Sequence, residues 1–383
     1  MNLEGRLFIE LAPGVPVRIE SRRPVAVTRL FLGKTPDQLQ QLIPLLLPLC
    51  GTAHSHCALQ ACRQALGATA APEIRAAQCR LADVETLREH GLRMLLDWAR
   101  FLGEPAAAEP LRILAGSLTR CRSAWFGGDP AFPLDGPVVV EPDAADDPLP
   151  ALTDVLSRSL FGARPDQWRA TISGWRELQA WAEQGETVAA RLLRFVFDRG
   201  WQPAGGDDLP HLPPLGDAEL AERLARPDAG DFCRAPCWQG QPRETTCLSR
   251  QQQQPLIADL LLRYGKGLLT RLTARIVEAA TLAAGLNHGG TQLSDPSPAP
   301  NSQGFCIGQA EAARGRLVHG LVLEQGRVAR YHVVAPTEWN FHPRGPAARA
   351  LAALAPGSDR RRQAELLIQA IDPCVGFDLR VEG

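Results

Sequence analysis

The chain has 383 residues, of which 45% are hydrophobic and 22% charged, enough to bury a sizeable core in one large unit or two interleaved ones. A formal net charge of −1 gives no long-range field toward nucleic acid or anionic lipid, so neither is an expected partner. Only Lys34 and Lys266 among the 41 basic residues are lysines, which reads as coding bias in an Ala-, Arg-, Gly- and Pro-rich chain rather than as a basic binding patch.

The opening "MNLEGRLFIELAPG" has no charged leader before an apolar run, and "LIPLLLPLC" is too short to cross a bilayer. A cytoplasmic location is therefore expected, with the ten cysteines reduced and serving as ligands, nucleophiles or core residues. Residues 1–34 read as short strands: "GRLFIEL", "VPVRIES" and "VAVTRLFLG" alternate apolar with polar or β-branched residues. Thr35 before Pro36 and Asp37 is a helix start, and that helix runs toward Leu47, disturbed by Pro44.

A second helix is expected from about Ser55, carrying Cys57 and Cys62. The spacing of Leu87, Leu92, Leu95, Leu96 and Trp98 predicts another over residues 84–103. Segments 103–110, 126–150 and 202–216 are loops by their Pro, Gly and Asp content, with "WRELQAWAEQ" and "ARLLRFVFDRGW" helical between them. Residues 255–286 suit one or two core helices, completing a helical body over 35–290. A linker, "LSDPSPAPNSQG", leads to a β-rich segment, 304–345, with a hairpin turning at Gln325-Gly326. Residues 346–383 read as two C-terminal helices ending in the Asp-Pro-Cys of "IDPCVGFDLRVEG". The expected class is α+β, predominantly helical, with a small sheet formed from N- and C-terminal segments.

Two stretches concentrate thiols. "CGTAHSHC" places Cys50, His54, His56 and Cys57 within eight residues, all potential ligands for borderline or soft metals, although cysteine is also among the most buried residue types. "CRAPCW" with Cys247 has a loose zinc-like look but lacks a fourth ligand, so loop and core thiols are the simpler reading. Cys62, Cys79, Cys121 and Cys306 are taken as core positions. His90, His211 and His288 stand alone and read as solvated or satisfied. The glycine pairs lack the context of a phosphate loop, and there is no Gly-x-Ser-x-Gly elbow. "EAARG" and "VAPTEWNFHPRG" could aim the guanidinium of Arg314 and the hydroxyl of Thr337, after Pro336, at one pocket.

Taken in order, these stretches resemble the large subunit of nickel-iron hydrogenases over nearly the whole length. "LEGRLFIEL" resembles that family's opening Arg-x-Glu-Gly-His strand, and "CGTAHSHC" its Cys-Gly-x-Cys-x-x-x-His. "GQPRETTCLSR" is similar to Glu-x-Gly-Pro-Leu-Ala-Arg. "GQAEAARGRLVHGLVLEQGRVARYHVVAPTEWN" follows Glu-Ala-Pro-Arg-Gly and Val-x-Pro-[Ser/Thr]-x-Trp-Asn, and "DPCVGFDLR" sits where the family has Asp-Pro-Cys-x-x-Cys-x-x-His. The resemblance implies a large-subunit-like fold.

In that family four cysteines hold nickel and an iron carrying two cyanides and one carbon monoxide. Here Cys50 and Cys374 keep the first position of each motif, while Ala53 and Phe377 replace the metal-bridging cysteines, and Cys57 and Arg380 replace the histidines. Two thiolates, or three with Cys57, could complete the shell of an iron already dressed with diatomic ligands, but not a dinuclear centre. The matching Arg314, Pro336 and Thr337 are implied to contact the cyanides.

Large-subunit-like chains with such losses are known as hydrogenase expression/formation proteins. That implies a non-catalytic maturation scaffold, transiently holding the iron–cyanide–carbonyl unit, without nickel. Its expected partners are the immature hydrogenase large subunit and cytoplasmic maturation proteins. The alternatives are a metal-free docking protein that mimics the large subunit, or a large subunit with an altered metal site.

Overall fold

A computed structural model describes residues 5–127, 130–134, 147–286 and 304–382. Much of the 126–150 loop, the expected linker, His288 and part of the opening motif lie outside the described residues. Around a helical body stand two small three-stranded sheets.

The first sheet has the order β2 (Arg18–Ser21), β1 (Arg6–Leu11), β6 (Gly376–Val381). β1 and β2 are antiparallel, whereas β6 runs parallel to β1 with Leu7 opposite Phe377, Ile9 opposite Leu379 and Leu11 opposite Val381. Strand alternation puts Leu7, Ile9 and Leu11 on the buried face, against the helical core. The second sheet is antiparallel: β3 (Cys306–Ala312), β4 (Gly315–Glu324) and β5 (Arg327–Val334).

The β4–β5 hairpin turns at Gln325-Gly326 as expected, both with positive φ, 52° and 73°, as a tight turn matched to strand twist requires. The single expected sheet is thus two. One joins the chain's two ends, and the β-rich segment, with β3 added, makes its own. The last segment does not stop at helices but continues into β6.

Val25–Phe31, read as a strand, forms 3-10 turns instead. Only Phe31 of that segment is buried, so an extended conformation would have no apolar face to cover. α1 (Pro36–Leu46) begins where expected, with Thr35 and Gln38 closing a capping box. α2 starts at Gly51, four residues earlier than expected, and runs to Leu66. α3 (Pro72–Leu92) continues through a π turn, Arg93–Trp98, to Leu102 and stops at Gly103 in the left-handed conformation.

Residues 255–286 form two helices, Pro255–Tyr264 and Leu268–Leu286. The second is buried over every residue from Leu268 to Ala280. It nevertheless carries Arg271, Arg275 and Glu278 at helical spacing, each paired across to another element. Arg271 bonds Asp207 and Glu244, Arg275 faces Asp372, and Glu278 holds Arg250 and His90. Buried charges persist only with such partners. No single helix among the described residues is long and apolar enough to cross a membrane.

Candidate functional site

Four separated parts of the chain meet at Cys50. The first is Cys50 itself, in the 3-10 turn Pro48–Cys50 that leads into α2. No side chain of its own caps that helix. Instead Glu85 of α3 accepts the main-chain N–H groups of Thr52 and Ala53, both at 2.9 Å. Burial raises the Glu85 carboxyl above its ordinary value, and those N–H groups oppose the rise only in part. A carboxylate on the orphan N–H groups of a helix start is favourable on both hydrogen-bonding and dipole grounds.

The second part is the hairpin turn between β3 and β4. Only Ala313 and Arg314 lie between the strands, and Gly315 takes φ +125° with no room for a side chain, since a Cβ would sit 1.9 Å from the Thr245 carbonyl. Asn340 clamps the turn, its Nδ2 donating to the carbonyls of Arg314 at 3.0 Å and Thr245 at 2.7 Å. The Thr245 N–H returns a bond to Asn340 Oδ1 at 2.9 Å. Three of the quoted motifs are thereby tied together, and their product is a rigidly aimed guanidinium. Arg314 Nη1 donates to Cys50 Sγ at 3.2 Å, Nη2 to Glu89 at 3.1 Å, and Nε faces Asp372 at 3.5 Å. Burial alone would lower the Arg314 pKa, but Asp372, Cys50 and Glu89 push it well above its ordinary value.

The third part is the C-terminal motif. The helix Arg360–Ile371 ends at Asp372 in the left-handed conformation (φ 64°), and Pro373 cannot continue it, so the chain turns and presents Cys374. Burial would raise the Asp372 carboxyl, yet Arg314, Arg93 and Arg275 hold it well below the carboxylate range. The fourth part is the first turn of Pro336–Asn340. There the Thr337 hydroxyl accepts the Cys374 N–H at 3.1 Å, which leaves its own proton free for another acceptor. Pro336 starts that turn, buried beside Thr337.

The structure therefore links Cys50 to Arg314 and Cys374 to Thr337, the two halves joined by Asp372, which faces Arg314 and lies two residues before Cys374. Burial pushes the Cys50 thiol up to about 12, Arg314 opposing. Cys57 lies two helical turns further along α2, in the same buried cluster as Cys50 and Ala53, packed against the second sheet with its thiol donating to the Leu317 carbonyl at 3.7 Å. His54 and His56 also find other partners, His319 at 2.8 Å and Gln60 at 2.7 Å. Ala53 is buried beside Cys50, and Phe377 lies on the apolar face of β6 against the helical core. Arg380 is exposed and pairs with Glu382.

Sequence reasoning missed Arg23. It is half-buried and ion-paired to Glu338, and although desolvation alone would lower its pKa, Cys374, Glu338 and Cys50 push it above its ordinary value. It missed Glu85, Glu89 and the role of Asp372 as well. Asp372 and Pro373 did carry a signal, a helix stop directly before Cys374; Arg23 and the glutamates carried none. The "CRAPCW" thiols separate. Cys233 is core, Cys237 approaches His342 at 3.6 Å, and Cys247 lies against His90 at 3.7 Å. None of the ten cysteines is in a disulfide.

Residues 210–376 match the nickel-dependent hydrogenase family. The hydrogenase expression/formation protein HoxV of Cupriavidus necator is 34% identical over 98% of this chain and 95% of its own length. HupK of Azotobacter vinelandii is 30% identical over 99% of both chains. An uptake hydrogenase large subunit from Rhizobium leguminosarum bv. viciae matches at 35% identity over only 20% of this chain and 14% of its own. Among solved structures, the Ni-Fe-Se hydrogenase of D. vulgaris Hildenborough in its reduced state superposes with a TM-score of 0.63 at 16% identity, covering 94% of this chain and 93% of that one. The fold is accordingly that of the hydrogenase large subunits.

Proposed function

The chain belongs to the hydrogenase expression/formation proteins of the HoxV and HupK kind, and from that membership in a maturation family we propose that it is a carrier for the iron–cyanide–carbonyl unit of a nickel-iron hydrogenase. Cys50 and Cys374 supply two thiolates to the iron. Arg314 and Thr337 donate hydrogen bonds to its cyanides, and Pro336 lines the same side.

The observation that supports this reading is the contact of Arg314 Nη1 with Cys50 Sγ, 3.2 Å, beside a Thr337 hydroxyl whose acceptor side is already taken by Cys374. Donors so fixed suit anionic diatomic ligands, because no reorganisation is needed when the cargo arrives. Arg314 and Arg23 bring positive charge against the two thiolates that form when their protons leave on metal binding. Cys57 is left out of the set because its thiol is engaged with Leu317.

With Ala53 and Phe377 in the bridging positions, the site takes the iron unit and not nickel. The chain then serves as an accessory rather than a catalyst, meeting the immature large subunit and other maturation proteins to pass the unit on.

Infrared spectra of the protein isolated from cells making hydrogenase test this. Bands of bound carbon monoxide and cyanide are expected in the wild type and lost in the Cys50→Ala, Cys374→Ala double variant. Their absence from the wild type, or survival in the double variant, refutes carriage. If that variant still supports hydrogenase formation in cells, the metal-free docking reading takes its place.

A further inference from the structure

One buried group of ligand-type side chains lies outside the Cys50 site. His90 of α3, Cys247 and Glu278 of the core helix come from three elements, and one ligand atom from each lies within 4.8 Å of the others. His90 Nε2 is 2.7 Å from Glu278 Oε2 and 3.7 Å from Cys247 Sγ. Tetrahedral coordination at roughly 2.0–2.3 Å per bond sets donor atoms roughly 3.3–3.8 Å apart, so the group needs only a small opening at its shortest contact. We infer that His90, Cys247 and Glu278 form a binding site for one divalent ion of the zinc class, separate from the thiolate pair of the proposed carrier site.

Imidazole nitrogen, thiolate sulfur and carboxylate oxygen are a donor set for borderline ions, and a water or substrate can take the fourth position. His90 Nδ1 is buried and has no hydrogen-bond partner among the described residues. A neutral imidazole that gives Nε2 to a metal keeps its proton there.

The competing cation is Arg250, which grips Glu278 through Nε at 2.5 Å and Nη2 at 2.6 Å. It has somewhere else to go, because it already reaches Glu311 at 3.2 Å and the Ala313 carbonyl at 3.3 Å. Arg250 and Glu311 are also the partly exposed members, at 15% and 27% of their side chains, so they mark the side from which an ion enters. The charge balances: the dication replaces the guanidinium at Glu278 and the thiol proton of Cys247, which leaves to solvent.

The site abuts the first one through chain neighbours. His90 follows Glu89, which holds Arg314, and Cys247 approaches the carbonyl of Ala313, which precedes Arg314. An ion there would staple α3, the core helix and the Ala313–Arg314 turn.

Titration of the full chain with Co2+, read by thiolate-to-cobalt absorption and reversed by Zn2+, tests the site. One equivalent is expected to bind. Cys247→Ala and His90→Gln should lose the absorption, whereas Cys50→Ala with Cys374→Ala should keep it. Arg250→Gln, with the competing cation removed, should bind at least tenfold more tightly. Zn2+ should raise the melting temperature of the wild type but not of Cys247→Ala, a comparison that stands if Arg250→Gln does not fold. No cobalt absorption above that of Cys247→Ala overturns the inference, as does absorption that disappears with the Cys50 and Cys374 thiols instead. Because the readout needs no iron unit, failure of the carrier reading leaves this result unaffected.

Discussion

Arg314 joins stability and cargo binding in one side chain, and two substitutions separate them. Arg314→Leu leaves Glu89 with Arg88 alone and Asp372 with Arg93 and Arg275, so the loss should fall below the about 3–5 kcal/mol of a buried pair stripped of its one partner. Urea unfolding should show that loss. Arg314→Lys keeps a charge but not the planar fork that reaches Cys50, Glu89 and Asp372 together, so it should fold with a smaller loss while shifting the cyanide stretching bands. Unchanged bands in the lysine variant would remove Arg314 from the binding set.

His54 makes a different prediction. Burial, helped by Arg23, pushes it down to about 3, so the folded chain keeps it neutral while the unfolded chain takes up a proton below about pH 6.5. The unfolded state then binds more protons, and stability is full above about 6.5 and falls as pH drops toward 3. The loss is about 1.4 kcal/mol per pH unit for each such histidine. Urea midpoints between pH 7.5 and 5 should fall with acid, and His54→Gln should flatten the slope by one proton's worth. An identical slope would place the titration elsewhere.

At this scale the sequence betrayed residues flanked by shape-determining neighbours: Cys50 before glycine, Arg314 before Gly315, Thr337 after Pro336, Cys374 after Pro373. Arg23, Glu85 and Glu89 were silent because a charged residue on a strand end or helix reads as solvated until tertiary packing buries it.

At the scale of elements, α2 is set by contacts it does not itself supply. Its first turn is capped by Glu85 from α3, so the position of Cys50 depends on a helix more than thirty residues away. Glu85→Ala should cost about 1–2 kcal/mol, as loss of a helix cap does, and hydrogen exchange should speed up at the Thr52 and Ala53 amides. Protection unchanged at those amides would mean another group holds the helix start.

The opposite face of α2 rests on β3 with no spare room, since a Cβ on Gly308 would lie 1.9 Å from the Cys57 carbonyl. Gly308→Ala must therefore separate helix from strand, and overpacking of this kind typically costs about 1–3 kcal/mol, readable in a thermal melt. Elements whose signals are local were legible in the sequence: the helix start at Thr35, the hairpin turn at Gln325-Gly326, the end of the last helix ahead of the Asp-Pro-Cys motif. The cross-chain cap by Glu85 and the 3-10 turns at Val25–Phe31 were not, because neither is written in a local period.

Over the whole molecule, the parallel pairing of β6 with β1 fixes what the site can become. A sheet joining the two ends was legible from the alternating runs at the N-terminus, but β6 itself was hidden behind the resemblance, which led the eye to a cysteine motif where this chain builds a strand. That strand has a chemical consequence. Phe377 occupies the register opposite Leu7, on the same apolar face as Leu379 and Val381, with the main chain committed to β1 on either side. A sulfur placed at 377 would therefore replace the phenyl ring on the half-buried face of an edge strand, its main chain held by the ladder with β1. Restoring both bridging cysteines, Ala53→Cys with Phe377→Cys, should accordingly fail to create a nickel site. Elemental analysis of the purified double variant, grown with ample nickel, should show no more nickel than the wild type, and loss of the phenyl group should lower stability by about 3–5 kcal/mol or less, given that Phe377 is only half-buried. Stoichiometric nickel in that variant would show that the strand yields to the metal and that only two sulfurs separate this chain from a dinuclear centre.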